Sequence, residues 1–429
     1  MKNSFCLSFF LTVSLGLSAQ FSVNTNITHQ YYTDYVSTGL DYLVVFDRLA
    51  TPNPGDYAEI HYDTQGSSFV WEKYQNGIRT PYSSSTTSSM LHLDLETSMG
   101  YVLNVDGTDV LTVWVIDFSA YMPAIRSVTW DDPNEAQCEN LTLSIDMNMP
   151  VMRYQNPAGN TYNLKREVEI TYETLEFNET WNPVEKKETF STPASAVDVE
   201  APLKNTSFVV EGDRFAKDLN RTVSLESDVY VAIAVEASPT TQTSVRDVRN
   251  ENERPDDASK REGSAPLEIN FTARPTPTVQ YYNWIVYKED TQLFTRKDEH
   301  FAYKFEEFGK YKVKLTVSSD FCAYTDSTIV IEVRESELLA PRVFTPNGDG
   351  INEEFRVAYK SIVEFEAWVY NRWGRLVYHW TNPAQGWDGK INGKNATEGA
   401  YFYVIKAKGA DGYKYLLKGD LSLLRGKKR

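Results

Sequence analysis

Short runs in which apolar and polar residues alternate recur along the whole chain, and they leave little room for helices. Ala58-Glu59-Ile60-His61-Tyr62, Leu141-Thr142-Leu143-Ser144-Ile145 and Val168-Glu169-Ile170-Thr171-Tyr172 all follow this pattern. Successive side chains of a strand point to opposite faces, so such a run folds with one face in a core and the other in water. Turn-forming residues separate the runs. Asp106-Gly107, between Gly100-Tyr101-Val102-Leu103-Asn104-Val105 and Leu111-Thr112-Val113-Trp114-Val115-Ile116, reads as a hairpin. Aromatic residues, which suit pleated surfaces, are frequent: 27 Tyr, 21 Phe and 9 Trp among 429 residues. The expected fold class is all-β, built as tandem Ig-like β-sandwiches.

The first residues carry a different signal. Lys2 precedes an apolar stretch from Phe5 to Leu17, and Leu17-Ser18-Ala19 leads into Gln20. This is the pattern of a signal peptide, residues 1–19, and the chain is expected to be exported. No later stretch approaches the roughly 18 consecutive apolar residues of a membrane span. Cys6 leaves with the leader, so Cys138 and Cys322 are the mature cysteines, and no CxxC or Cys/His spacing points to zinc. In an oxidising compartment these two form a candidate disulfide. They are expected in different domains, so bridging them requires those domains to fold back on each other.

Strand spacing divides the mature chain. Residues 20–122 read as an Ig-like β-sandwich with Trp71 as its central core residue and a Ser/Thr-rich loop from Thr80 to Met90. Residues 123–248 read as a second Ig-like β-domain that ends with a strand over Val229-Tyr230-Val231-Ala232-Ile233-Ala234-Val235. Residues 249–264, which include Glu253-Arg254-Pro255-Asp256-Asp257, hold few apolar residues and read as a charged linker. Charge is uneven. Residues 336–429 hold 15 Lys+Arg and 10 Asp+Glu, a balance of +5, which leaves −21 of the net −16 on the rest. An acidic body argues against nucleic acid as a partner.

Residues 265–335 are more sharply patterned. Ala265-Pro266-Leu267-Glu268-Ile269-Asn270-Phe271, Tyr282-Asn283-Trp284-Ile285-Val286, Phe308-Gly309-Lys310-Tyr311-Lys312-Val313 and Ser327-Thr328-Ile329-Val330-Ile331 succeed one another. The block resembles a PKD domain, an Ig-like module of microbial cell surfaces, although the Gly-Asp-Gly turn of that family is missing. Residues 336–429 are more specific still. Thr345-Pro346-Asn347-Gly348-Asp349-Gly350 opens them, followed by Asn371-Arg372-Trp373-Gly374, Trp387-Asp388-Gly389 and Gly399-Ala400-Tyr401, with Gly419-Asp420-Leu421-Ser422-Leu423-Leu424-Arg425 near the end. These motifs in this order resemble the gliding-motility-associated, or type B, C-terminal sorting domain of the type IX secretion system. The resemblance implies a cell-surface protein of the Bacteroidota whose last domain is an Ig-like address read by outer-membrane secretion components.

The resemblance implies a protein sent to the outer membrane, cell surface or exterior; the β-sandwich pattern and the absence of catalytic motifs make it an expected non-enzyme with a binding or structural role. Its N-terminal domains would take a surface glycan or a protein ligand. Two other roles stay open: an accessory component of the secretion or gliding machinery that retains its sorting domain, and a secreted hydrolase with an unrecognised site. The five histidines lack metal spacing, and no GxSxG, HExxH, P-loop or Rossmann fingerprint occurs. Asn347, Asp349, the Ile351 carbonyl and Glu353 place oxygens at alternate positions of a Gly-containing loop, as a calcium loop does, which makes calcium the one candidate cofactor. The sorting domain is expected to fold alone, touch the acidic domains little, and dock through an exposed strand edge or aromatic face.

Overall fold

A computed structural model of the chain describes residues 20–49, 53–93, 98–191 and 195–426. The signal-peptide stretch and the last three basic residues lie outside the described residues. The described chain is almost entirely β, with one short α-helix, Arg214–Asp218.

The first domain pairs a three-stranded sheet (Phe21–Thr25, Ala58–Tyr62, Leu91–His92) with a six-stranded one. In the larger sheet the order is His29–Tyr32, Tyr42–Phe46, Thr108–Asp117, Met99–Val105, Phe69–Gln75 and Ile78–Ser85. Trp71 lies in the core between the two sheets and donates its indole N–H to the Ser89 carbonyl at 3.0 Å. Part of the Ser/Thr-rich stretch expected as a loop is instead the edge strand Ile78–Ser85, paired with Phe69–Gln75. An outer strand needs only its backbone to pair, so small polar side chains suffice there.

The large sheet is buried on both faces. Val44, Phe46, Leu103, Val113 and Val115 face the small sheet. Leu43, Val45, Val102, Trp114 and Ile116 pack instead against Met152, Tyr154, Leu164, Phe215 and Leu219 of the second domain. This is why Tyr42-Leu43-Val44-Val45-Phe46 is continuously apolar rather than alternating. At the seam the buried Arg166 guanidinium pairs with Asp213 and donates to the carbonyls of Tyr121 (2.9 Å) and Pro150 (2.7 Å).

The second domain is a sandwich of three strands (Ala124–Thr129, Asn140–Asn148, Ala196–Glu200) on four (Thr180–Ser191, Glu167–Asn178, Val209–Glu211, Ser224–Glu226). Its last expected strand is not one. Residues 229–235 make a single bridge, Tyr230 to Thr206. Tyr230 and Ala232 join the second core, whereas Ile233 and Val235 join the third, so the segment is the crossing between domains.

The third domain therefore begins earlier than residue 265. Its small sheet holds Thr240–Thr243 beside Leu267–Thr272 and His300–Phe305. Its large sheet runs Glu262–Gly263, Ala323–Val333, Gly309–Ser318, Tyr281–Lys288 and Thr291–Arg296, around a fully buried Trp284. Cys138 and Cys322 are bonded, with Cα atoms 5.5 Å apart, and so tie the second domain to the third. The tip of the long hairpin Glu167–Asn178/Thr180–Ser191 adds to this junction, because Trp181 donates its indole N–H to Arg274 O at 3.0 Å.

Residues 249–264 are not a free linker. Glu251 is buried and accepts from Arg246 (2.6 and 3.0 Å) and Ser264 Oγ (2.7 Å). Glu262–Gly263 pairs in parallel with Glu332 and Val333. Asn252 N donates to Tyr359 O at 2.6 Å and Tyr359 N to Asn250 O at 3.1 Å, so residues 250–252 extend the small sheet Glu337–Leu339/Ala358–Lys360 of the last domain. The charges that looked like a solvated stretch are held in place: Glu251 by Arg246 and Ser264 close by in the chain, Glu253 by Lys360 and Glu262 by Arg334 from far along it. Burial and the Glu251 carboxylate push the Tyr359 hydroxyl up to about 12, against the lowering effect of Arg246.

Candidate functional site

The last domain carries a five-stranded sheet in the order Val343–Phe344, Lys414–Leu423, Gly399–Gly409, Ile362–Tyr370, Leu376–Trp380. Its register gives it two distinct poles. At one, Phe344 and Gly399 both lie against Leu423, and Tyr370 lies against Phe402. At the other, Gly409 lies opposite Ile362 and Lys408 opposite Lys414. The eleven residues of Gly399–Gly409 place the poles about 33 Å apart.

Every sorting motif falls at the first pole. Asn371 builds the turn after Ile362–Tyr370: its Oδ1 accepts from Trp373 N (3.1 Å) and Arg375 N (3.0 Å), and Gly374 takes φ +76°. Trp373 itself is 76% exposed, with the Arg372 guanidinium 4.5 Å above its ring. Trp387 is the opposite case. It is fully buried, donates to Lys390 O at 2.8 Å, and packs on Tyr401 and Phe344 with ring centroids 4.9 and 5.4 Å away. Asp388 holds the turn by accepting from Lys390 N at 3.0 Å. Gly389 sits at φ +73°, where a Cβ would lie 3.0 Å from Pro346 and from Arg425. Arg425 then locks this corner by donating to Gly389 O (2.8 Å) and Ala396 O (2.5 Å). The sequence showed Arg425 only as the end of a strand, because its partners lie about thirty residues back. Tyr401 is buried and donates to Thr397 O at 2.8 Å; burial raises its pKa against the opposing pull of Arg425 and Arg372. Gly399, at φ +135°, opens that strand.

The loop from Thr345 to Glu353 closes on itself. Glu353 Oε1 accepts from Gly348 N (2.7 Å) and Gly350 N (3.0 Å), Asn347 Oδ1 from Asp349 N (2.9 Å), and Asp349 Oδ1 from Ile351 N (2.8 Å). Gly348 and Gly350 supply the positive φ that the reversal needs. The side-chain oxygens at 347, 349 and 353 thus face the loop's own N–H groups, the arrangement of a hydrogen-bonded turn. Among the described residues, no group of three or more His, Cys, Asp or Glu is placed to hold a metal.

The second pole is clamped to the third domain. Ser361 is fully buried; its Oγ accepts from Ala265 N (2.8 Å) and donates to Arg334 O (3.0 Å), while Ala410 N donates to Ser361 O (2.9 Å). Phe308 N donates to Ala410 O at 3.1 Å. The expectation of few contacts with the acidic domains therefore fails here, because backbone groups on both sides satisfy each other. A cavity of about 740 Å³ opens at this junction. Arg334 bridges Glu262 and Glu332 (both 2.6 Å) within it, and Lys360 pairs with Glu253 at 3.2 Å.

Residues 338–419 match the CHU_C type IX secretion signal domain, and residues 130–227 match the fibronectin type III domain. The last domain is thus a type IX secretion signal, preceded by a fibronectin III/Ig-like domain, and the chain is exported to the cell surface or exterior. No helix of the described residues is long and apolar enough to cross a membrane. No curated protein is similar to the chain. Among solved structures, the FN1–FN3 domains of chicken CNTN1 are 12% identical, with 71% of this chain and 100% of that one covered and a TM-score of 0.24. A Ca2+-stabilized adhesin that helps an Antarctic bacterium bind ice is 12% identical over 92% of this chain and 99% of that one, with a TM-score of 0.22. Dimeric latent PorU from Porphyromonas gingivalis is 11% identical over 74% and 36%, with a TM-score of 0.15.

Proposed function

We propose that this chain is a non-enzymatic surface protein whose first three domains form a fastened binding or structural scaffold and whose last domain is presented to outer-membrane type IX secretion components. The observation that carries this reading is the polarity of the last domain. Its motif residues gather at the pole away from the clamp, with Trp373 exposed at the tip. An address must stay readable on the folded chain, and this placement keeps it so. The carboxylates lining the junction cavity are mostly held in ion pairs with Arg334, Lys360 and Lys260, an arrangement that suits fastening rather than proton transfer.

Deleting residues 338–429 should leave the chain in the periplasm, and fusing them to a periplasmic reporter should carry the reporter outward. Normal surface levels of the truncated chain would make the last domain a fourth structural module instead. A second reading, an accessory component that keeps its signal domain, is favoured by residues 250–252. They are laddered onto that domain, so a cut near residue 336 would leave it attached. Intact mass of the surface-exposed chain distinguishes the two: a species shortened by the signal domain selects cargo, and a full-length one selects the accessory component.

A further inference from the structure

The signal domain has more than one strand edge that could dock a partner, and the chain itself fills one of them. Residues 250–252 occupy the edge of Ala358–Lys360. The five-stranded sheet ends in Leu376–Trp380 on one side, and on the other its last long strand, Lys414–Leu423, is open along most of its length. Among the described residues its only strand neighbour on that side is the two-residue Val343–Phe344, which reaches no further than Ser422 and Leu423.

The direction of the open groups follows from the register. Ser422 N donates to Arg342 O at 2.8 Å and Leu424 N to Phe344 O at 3.2 Å, so even-numbered residues aim their backbone at this side. The ladder with Gly399–Gly409 runs without a bulge from Lys414 to Leu423. By the two-residue period of a strand, the N–H and C=O groups of Lys414, Leu416, Lys418 and Asp420 therefore point away from Gly399–Gly409, and they meet no backbone partner among the described residues. Their side chains stand on the outer face of the sheet, where Leu416 is 56% exposed. A groove of about 480 Å³ lies beside Leu416, between Lys406, Lys408 and Lys414 on one hand and Glu364 and Glu366 on the other. Lys408 is paired with Glu364 at 3.0 Å, and Lys406 lies over the Trp368 ring at 5.5 Å. Lys414 and Lys418 hold no ion pair among the described residues.

We infer that the open edge of Lys414–Leu423 receives an acidic extended segment of the outer-membrane secretion component, which adds to the sheet as a sixth strand where Val343–Phe344 leaves off. This deepens the export reading above and rests on it; the added strand would start beside the motif pole at Ser422 and run along the edge toward Lys414. Main-chain hydrogen bonds would hold the segment, the exposed Leu416 would pack against an apolar side chain of it, and Lys414 and Lys418 would select acidic neighbours.

The test uses the full chain in its own cell. Leu416→Pro removes an N–H that makes no internal bond and sets a ring in the path of the incoming strand. Lys414→Glu/Lys418→Glu reverses the local charge. Each should lower the surface-exposed fraction about tenfold while the purified chain keeps its melting temperature. Leu376→Glu, on the opposite edge of the sheet, should be exported normally. Normal export of both edge variants, with the 338–429 deletion still retained, overturns the edge assignment and spares the export reading. Export of the deletion itself overturns the reading beneath it. If a variant melts early, a photo-crosslinking residue at position 416 of the otherwise native chain decides. An adduct to an outer-membrane secretion protein through an acidic segment supports the assignment, whereas an adduct to a second copy of the chain, or none, refutes it.

Discussion

Replacing Asp213 should loosen the seam between the first two domains more than any comparable surface change. Side-chain exposure is 2% for Arg166 and 0% for Asp213, so the pair is cut off from water. Asp213 does two jobs there. One oxygen pairs with Arg166, and the other accepts from Ala216 N at 3.0 Å to cap the helix that carries Phe215 and Ala216 into the seam. Asp213→Asn keeps the cap, since Asn caps as well as Asp, but strands the guanidinium; an unpaired buried charge costs about 3–5 kcal/mol. Asp213→Ala also loses the cap, about 1 kcal/mol more. At an m-value of roughly 2 kcal/mol/M, the first urea transition should fall by about 1.5–2.5 M for Asp213→Asn. Trp114, buried in the same seam, reports it by fluorescence. Removing both charges in Arg166→Met/Asp213→Asn should recover at least about 2 kcal/mol of the loss, because the penalty comes from the stranded charge and not from the missing contact. A shift under about 1 kcal/mol for Asp213→Asn, or a double variant no better than the single, would refute this account.

In the signal domain, Trp387→Ala should cost about 3–5 kcal/mol and lower the melting temperature, since the buried ring joins Phe344 and Tyr401; a near-native melt would remove Trp387 from the core. Reducing Cys138–Cys322, which closes a loop of 184 residues, should cost up to about 5 kcal/mol in the urea midpoint of the second and third domains, and an unchanged midpoint would mean that the other junction contacts suffice. Burial opposes ionisation of Asp411, but the Ser336 hydroxyl and the N–H groups of Tyr413 and Ser336 outweigh it and hold its pKa below the usual value. That contribution is complete above about pH 4 and is lost as pH falls through the lowered value, so Asp411→Asn should flatten the acid limb of a stability profile; parallel limbs would argue otherwise. Millimolar calcium should leave the melting temperature unchanged, because the oxygens at 347, 349 and 353 already serve the loop, and a rise of several degrees would instead make that loop a calcium site.

The strands were legible because their signal is local. Leu141–Ile145 and Val168–Tyr172 alternate in five residues, and a pleated strand has no other way to keep one face dry. The motif turns were equally readable, since Asn371, Gly374, Gly348 and Gly350 serve their own immediate backbone. Local reading misled where a segment's partners are remote. Residues 229–235 are apolar enough for a strand, yet they cross between two cores. Ile78–Ser85 looked like a loop because an edge strand asks little of its side chains. Residues 249–264 hold few apolar side chains, and nothing nearby announces that Tyr359, Lys360 and Arg334 will pair with Asn252, Glu253 and Glu262. By itself, then, the sequence determined an all-β chain of Ig-like units ending in a secretion signal. Tertiary structure alone decided how the units are fastened and which strand edge of the signal domain the chain itself fills. Those outcomes depend on hydrogen bonds, ion pairs and packing between residues dozens to hundreds of positions apart, and no local period encodes them.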